Sequence, residues 1–295
     1  LYRISRFAAQ RPEAFGVWIT LIGVAFFIPD ALVVRLIGAD TMTIAVWRGV
    51  AAGVATLGWQ AIFARHSFPS WHELVSPASL AMIFLQGVGS VFFLGSLGAT
   101  SAANALLILA TAPFLAALLS WAVLGERITR DTALAILGVF AGVAIIAAGS
   151  AGGGRLWGDL LALANAVVMA TYYVMLRHAK TQSLLTAIAL GYLLTSVLAL
   201  PFAPLEPLDL LQSGFVLLSG AVILAGGAAL LMIGPRYLPA AEVSMIAMLE
   251  VVAGPLLVWA VIGEHPGAMT LTGGAVILSA ILAHTALRLR QPGAA

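Results

Sequence analysis

Residues 121–126 read Trp-Ala-Val-Leu-Gly-Glu, and residues 259–264 read Trp-Ala-Val-Ile-Gly-Glu. The copies start 138 residues apart, and each closes a long apolar stretch. A phrase repeated over that distance implies an architecture built twice from one unit. Between the copies lies an odd number of apolar segments, five in a cyclic sense. Oddness carries a prediction: if each segment crosses a membrane, the second unit starts on the face opposite the first.

Composition supports the membrane premise. Of 295 residues, 62% are hydrophobic and 9% are charged, and the mean hydropathy is +1.07. Soluble domains carry about 25% charge, so this chain lacks the groups to cover a water-exposed surface. Stretches near 20 apolar residues indicate spanning helices; the short alternating segments of a membrane barrel are missing. A net charge of +2 gives no ground for nucleic-acid binding. With no cysteines, disulfides and thiolate metal sites are excluded, and no cofactor or metal is expected. The basic start, with Arg3, Arg6 and Arg11, leads into an apolar stretch without a small-residue cleavage site. That stretch is expected to be the first spanning helix.

The expected fold is an all-α polytopic membrane protein of ten transmembrane helices, arranged as two inverted five-helix repeats. The spans are placed near 15–37, 42–63, 75–97, 102–124, 132–150, 157–177, 183–203, 212–234, 240–260 and 269–287. At 1.5 Å per residue, each covers roughly 30 Å of hydrocarbon. Spans three and four are parted only by Gly98-Ala99-Thr100-Ser101. The glycine-rich loop 149–154 divides the chain into repeats 1–150 and 151–295.

Loop charges set the orientation. With both termini cytoplasmic, the inner segments hold Arg3, Arg6, Arg11, Arg65, Arg127, Arg130, Arg177, Lys180, Arg236, Arg288 and Arg290, whereas the outer loops hold only Arg155. Acidic Asp40, Asp159, Glu206, Asp209 and Glu264 fall on the outer side. This asymmetry follows the positive-inside rule. A missed span would exchange the sides of every later loop. Trp71 and Trp157 fall at the interfaces, where amphipathic rings are favoured.

Charges inside spans are expensive, so each is a candidate for function. Asp30 follows Pro29, whose missing N–H frees a carbonyl and bends the first span. Asp30 and Arg35 are badly spaced to pair on one helix, and Arg35 can snorkel outward. Arg48, early in span two, can also snorkel, pair with Asp30 or Glu250, or grip a substrate carboxylate. Glu250 is central in span nine: a proton or ammonium site, or a structural hydrogen bond between helices. Gln86 and Asn165 are central amides, whose commoner use is interhelical bonding. Trp18, Trp47, Tyr172, Tyr173 and Met245 are candidate cavity-wall residues, with ordinary packing as the alternative. Adjacent Tyr172 and Tyr173 cannot both face a cavity. Asn104 either caps its helix or couples helices. Pro29, Pro113, Glu126, Pro255 and Glu264 are structural or gating candidates, the two glutamates on opposite faces. Gly49–Gly53 and Gly138–Gly142 have the small-xxx-small spacing of close helix approach.

The stretches Ala102–Glu126, with Asn104, Pro113 and Gly125-Glu126, and Leu238–Glu264, with Leu238-Pro239-Ala240-Ala241-Glu242, Leu249-Glu250 and Gly263-Glu264, resemble the drug/metabolite transporter superfamily. The likeness is to ten-span members with two EamA domains. Trp47-Arg48-Gly49 and Asp30-Ala31 with Arg35 resemble further family patterns, and the likeness covers nearly the whole chain. Two departures stand out: Val251 replaces the proline that usually follows the span-nine glutamate, and His265-Pro266 replaces the usual basic residue after Gly-Glu. With the nearest proline at Pro255, any kink is expected about one turn later. The resemblance implies export of small metabolites, amino acids first, with the YddG-like exporters the nearest functional type.

Inverted repeats are a common plan for secondary transporters, which work by alternating access to a central cavity. The expected activity is therefore export of amino acids with aromatic or other apolar side chains. The alternative is a carrier of another organic compound, such as a cofactor, nucleoside or cationic drug. Glu250 permits proton coupling, whereas facilitated diffusion needs no titrating residue. No phosphate-binding loop is present. The five histidines do not converge by spacing and no protease-like motif occurs, so no enzyme activity is expected. The expected partners are a small organic solute and the lipid bilayer, in a plasma membrane of bacterial inner-membrane type. One chain carries both repeats, so a monomer suffices and a dimer is allowed.

Overall fold

The computed structural model describes residues 12–125, 128–151, 153–178, 184–231, 233, 237 and 240–289. The described secondary structure is helical throughout. In chain order the helices are α1 (Pro12–Phe27), α2 (Asp30–Ile37), α3 (Thr41–Phe63), α4 (Trp71–Leu74), α5 (Pro77–Ala99), α6 (Ala102–Leu109), α7 (Ala112–Leu124), α8 (Arg130–Ser150), α9 (Leu156–His178), α10 (Leu184–Ala199), α11 (Leu210–Leu217), α12 (Ala225–Leu231), α13 (Ala240–Ile262) and α14 (Ala268–Leu289). A wide π-helical segment, Leu218–Leu224, joins α11 to α12. Among the described residues, six stretches are long and apolar enough to cross a membrane: Ala14–Ile37, Pro77–Ala99, Ala102–Val123, Arg130–Ser150, Leu185–Phe202 and Leu210–Leu231. Leu156–Tyr172, Leu249–Ile262 and Ala268–His284 are shorter apolar helices. The chain is thus an all-α polytopic membrane protein.

The sequence dictates where helices start. Asp40 caps α3 by accepting from the Met42 and Thr43 N–H groups, both at 2.9 Å. Ser101 caps α6 through the Asn104 N–H at 3.1 Å. Such caps satisfy amide groups that the first turn leaves open. Thr100 is extended between α5 and α6, so Gly98–Ser101 does divide two helices. Gly38 ends α2 with φ +63°, a left-handed conformation that glycine tolerates best.

Two stretches expected to be single helices are divided. Residues 15–37 break at Ile28-Pro29: proline has no N–H to give, and a new helix starts at Asp30. Residues 102–124 break at Ala110-Thr111, where the Thr111 hydroxyl turns back to the Ile108 carbonyl at 2.7 Å. Pro113 opens the second piece, a position where its missing donor costs little. Pro255 makes no such break, and α13 runs through it.

Glycine sets how the helices meet. A Cβ at Gly142 of α8 would lie 2.7 Å from the Gly273 carbonyl oxygen on α14, and one at Gly273 would lie 2.6 Å from that of Gly142. Contacts Gly138–Ala280, Gly142–Ile277 and Gly149–Met269 show the numbering falling on one helix as it rises on the other, so α8 and α14 are antiparallel. Helices α3 and α10 are also antiparallel: Gly49 meets Ser196, Gly53 meets Leu193, and Gln60 accepts from the Thr186 hydroxyl at 2.9 Å. Gly254 of α13 abuts Leu106, and Glu264, just beyond α13, reaches the Ala102 N–H at the start of α6. Helices α6 and α13 therefore run side by side in opposite directions.

The core has two main clusters. One gathers α2, α3, α5 and α6, with Val258 of α13, around Ile37, Leu94 and Leu97. The other gathers α6, α8 and α14 around Ile108, Val139, Ile146 and Ile277. Elsewhere large apolar side chains face outward, Val54, Phe84, Leu134, Leu210 and Leu282 among them. In water that pattern would be untenable; against lipid it is the required one.

Candidate functional site

The break at Pro29 places Asp30 in the first turn of a helix, deep in the protein. Asp30 is 5% exposed and Arg48 3% exposed. Arg48 Nη2 donates to Asp30 Oδ2 at 2.5 Å, joining α2 to α3. The Ser219 hydroxyl donates to the other carboxylate oxygen, Oδ1, at 3.0 Å. Ser219 belongs to the π-helical segment, a feature often found at functional sites. Next to it, Gly220 packs against the α3 backbone: a Cβ there would lie 2.7 Å from the Arg48 carbonyl oxygen. Buried Tyr192 of α10 lies within electrostatic reach of both charges. Glu250 of α13 is half-buried and close enough to Asp30 for the two carboxylates to interact. Helices from both ends of the chain thus converge on one ion pair.

The other candidates lie elsewhere. Gln86 bonds within its own helix to Ser90 Oγ at 3.4 Å and packs against Gly191 of α10. Asn165 is buried against Gly89, with its Oδ1 lacking a hydrogen-bond partner. Tyr172 is buried among Met82 and Ala187. These three line the packing of α5, α9 and α10. Trp18 and Trp47 are exposed. Glu126 and the side chains of Met245 and Tyr173 lie outside the described residues.

A second polar assembly gathers around the start of α6, at the end of the bundle expected to face outward. Arg35 Nε lies 3.2 Å from Glu264 Oε2, and its Nη2 donates to the Thr100 carbonyl at 2.7 Å. Glu264 Oε1 accepts the Ala102 N–H at 2.7 Å, where the α6 dipole favours a carboxylate. Thr100 Oγ1 donates to Asp159 Oδ1 at 2.6 Å. The Asn104 amide nitrogen reaches Ser150 Oγ at 3.0 Å and Asp159 Oδ1 at 3.1 Å, and its oxygen accepts from Thr270 at 2.7 Å. Asp159 is 3% exposed: the sequence places it on the outer side, and the structure buries it in a clasp between helices.

Sequence reasoning missed Ser219, Tyr192, Thr100, Ser150 and Thr270. Single hydroxyls in apolar helices carry no periodic signal. Among the described residues, no group of three or more histidine or acidic side chains could hold a metal.

No curated protein matches the chain. A crystal structure shares its fold at a TM-score of 0.63 and 19% sequence identity, with 95% of this chain and 100% of the other covered. The sequence matches the EamA-like transporter family twice, over residues 14–148 and 156–285. The two matched stretches, the apolar helices and the buried charges agree: this chain belongs to the EamA-like transporter family, and it is a transporter rather than an enzyme.

Proposed function

We propose that this protein is a secondary transporter that exports amino acids with aromatic or other apolar side chains, in the manner of the YddG-like group. Ten crossings, divided as 1–150 and 151–295 and inverted relative to one another, carry alternating access. The antiparallel course of α3 against α10, α8 against α14 and α6 against α13 supports the inversion. Both termini are cytoplasmic, in a membrane of bacterial inner-membrane type, and a monomer is sufficient.

The observation that carries the reading is the buried Arg48–Asp30 pair beside Glu250. An apolar interior that holds one cationic and two carboxylate groups at a helix break matches the charge pattern of a zwitterion. Arg48 takes the carboxylate, while Asp30 or Glu250 takes the ammonium. The Glu250 carboxyl also serves as the site for a coupled proton.

Counterflow in proteoliposomes tests this. Internal phenylalanine or leucine should drive uptake of labelled substrate, and Arg48→Ala should abolish it. A protein that exchanges lipophilic cations or nucleosides and no amino acid would establish the alternative substrate class. An initial rate indifferent both to an imposed pH gradient and to Glu250→Gln would remove proton coupling.

A further inference from the structure

Arg48 and Asp30 meet at one point only. A guanidinium and a carboxylate commonly form a two-pronged pair. Here Nη2 of Arg48 holds Oδ2 of Asp30, while Oδ1 is taken by the Ser219 hydroxyl at 3.0 Å. The Nε–H of Arg48 is left buried without a hydrogen-bond partner. An unfilled donor on a charged group in an apolar interior is costly, and its natural complement is an anionic oxygen.

The position of Ser219 is built into the fold. The wide turn at Leu218–Leu224 turns Ser219 onto Asp30, while Gly220 seats the same turn against the backbone that carries Arg48. One irregular segment therefore fixes both the acid and the height of the base.

We propose that the open edge of Arg48, its Nε–H, is the docking point for a carboxylate on the transported solute, and that Ser219 is the positioning residue that keeps this edge open. The inference rests on the reading of Asp30 and Arg48 as the substrate site. It narrows the solute to carboxylate-bearing compounds, with amines that lack a carboxylate as poor ligands. Without the Ser219 hydroxyl, Oδ1 of Asp30 is free to swing onto Nε, which completes the fork and shuts the solute's carboxylate out.

The test is counterflow by wild type, Ser219→Ala and Ser219→Thr with three probes: phenylalanine, its amide and its N-acetyl derivative. Wild type should take the two carboxylates in preference to the amide. Ser219→Ala should raise the apparent KM for the carboxylates about tenfold, the scale of one charge-assisted hydrogen bond, and leave the amide unchanged. Ser219→Thr should restore the preference. If the alanine variant does not fold, Ser219→Cys, close in volume and a weak donor, should show the same loss. A wild type that carries the amide as well as phenylalanine overturns the docking assignment. A variant that weakens all probes equally, or none, overturns the positioning role. A wild type that carries none of them while exchanging other solutes overturns the amino-acid reading as well.

Discussion

At the scale of single residues, the Arg48–Asp30 pair is held more by mutual need than by net attraction. Two charges taken from water regain little beyond the cost of burial, but removing one partner strands the other. Arg48→Ala or Asp30→Ala alone should cost about 3–5 kcal/mol of stability. The double variant should cost less than either single one, as read by thermal unfolding in detergent. Additive losses would mean that the two side chains do not share one interaction. Much of this site was legible in the sequence: charges inside apolar stretches are few, and pairing of Arg48 with Asp30 was one of three stated options. The third member was not legible, because nothing marks Ser219 among the other hydroxyls of the chain. Asp159 was visible as an outer-side acid, yet its burial depends on Thr100 and Asn104, which only tertiary packing brings to it.

At the scale of helices, hydropathy located the helical stretches well, because lipid requires an apolar residue at nearly every outward position. It did not locate the π-helical turn or the break at Ala110-Thr111, where backbone geometry rather than polarity decides. Glycine positions give a direct check on the crossings. A methyl group at Gly142 or Gly273 would meet a carbonyl oxygen at under 3 Å. Gly142→Ala and Gly273→Ala should each cost about 1–3 kcal/mol through overpacking. Gly58 of α3 has nothing within 4 Å of a Cβ, so Gly58→Ala should be neutral or stabilising by up to ~1 kcal/mol from helix propensity. Equal unfolding temperatures for all three variants would refute the close-contact account.

At the scale of the whole molecule, the clasp of Arg35, Glu264 and the α6 N-terminus ties together parts 229 residues apart in sequence. Opening the bundle on that side must release it. Glu264→Gln keeps one hydrogen bond and removes the charge, so it should shift the balance toward the open form by roughly tenfold, the scale of a charge-assisted bond. The chain has no native cysteine, so Ala105→Cys, buried just behind the clasp, gives a clean reporter. A membrane-impermeant maleimide should label it faster when Glu264→Gln is added. Unchanged labelling would mean that the clasp is structural and does not gate. The crossing of α8 over α14 has a further consequence. Gly142 with Ile146 and Gly273 with Ile277 form a mutual socket, each pair receiving the other as two copies of a symmetric dimer would. On the proposed division into two halves, association is encoded in the faces, and the link between the two matched stretches would serve mainly to hold them at high effective concentration. A gene cut at that link and expressed as two fragments should therefore reassemble in the membrane, and co-purification through a tag on one fragment would reveal it.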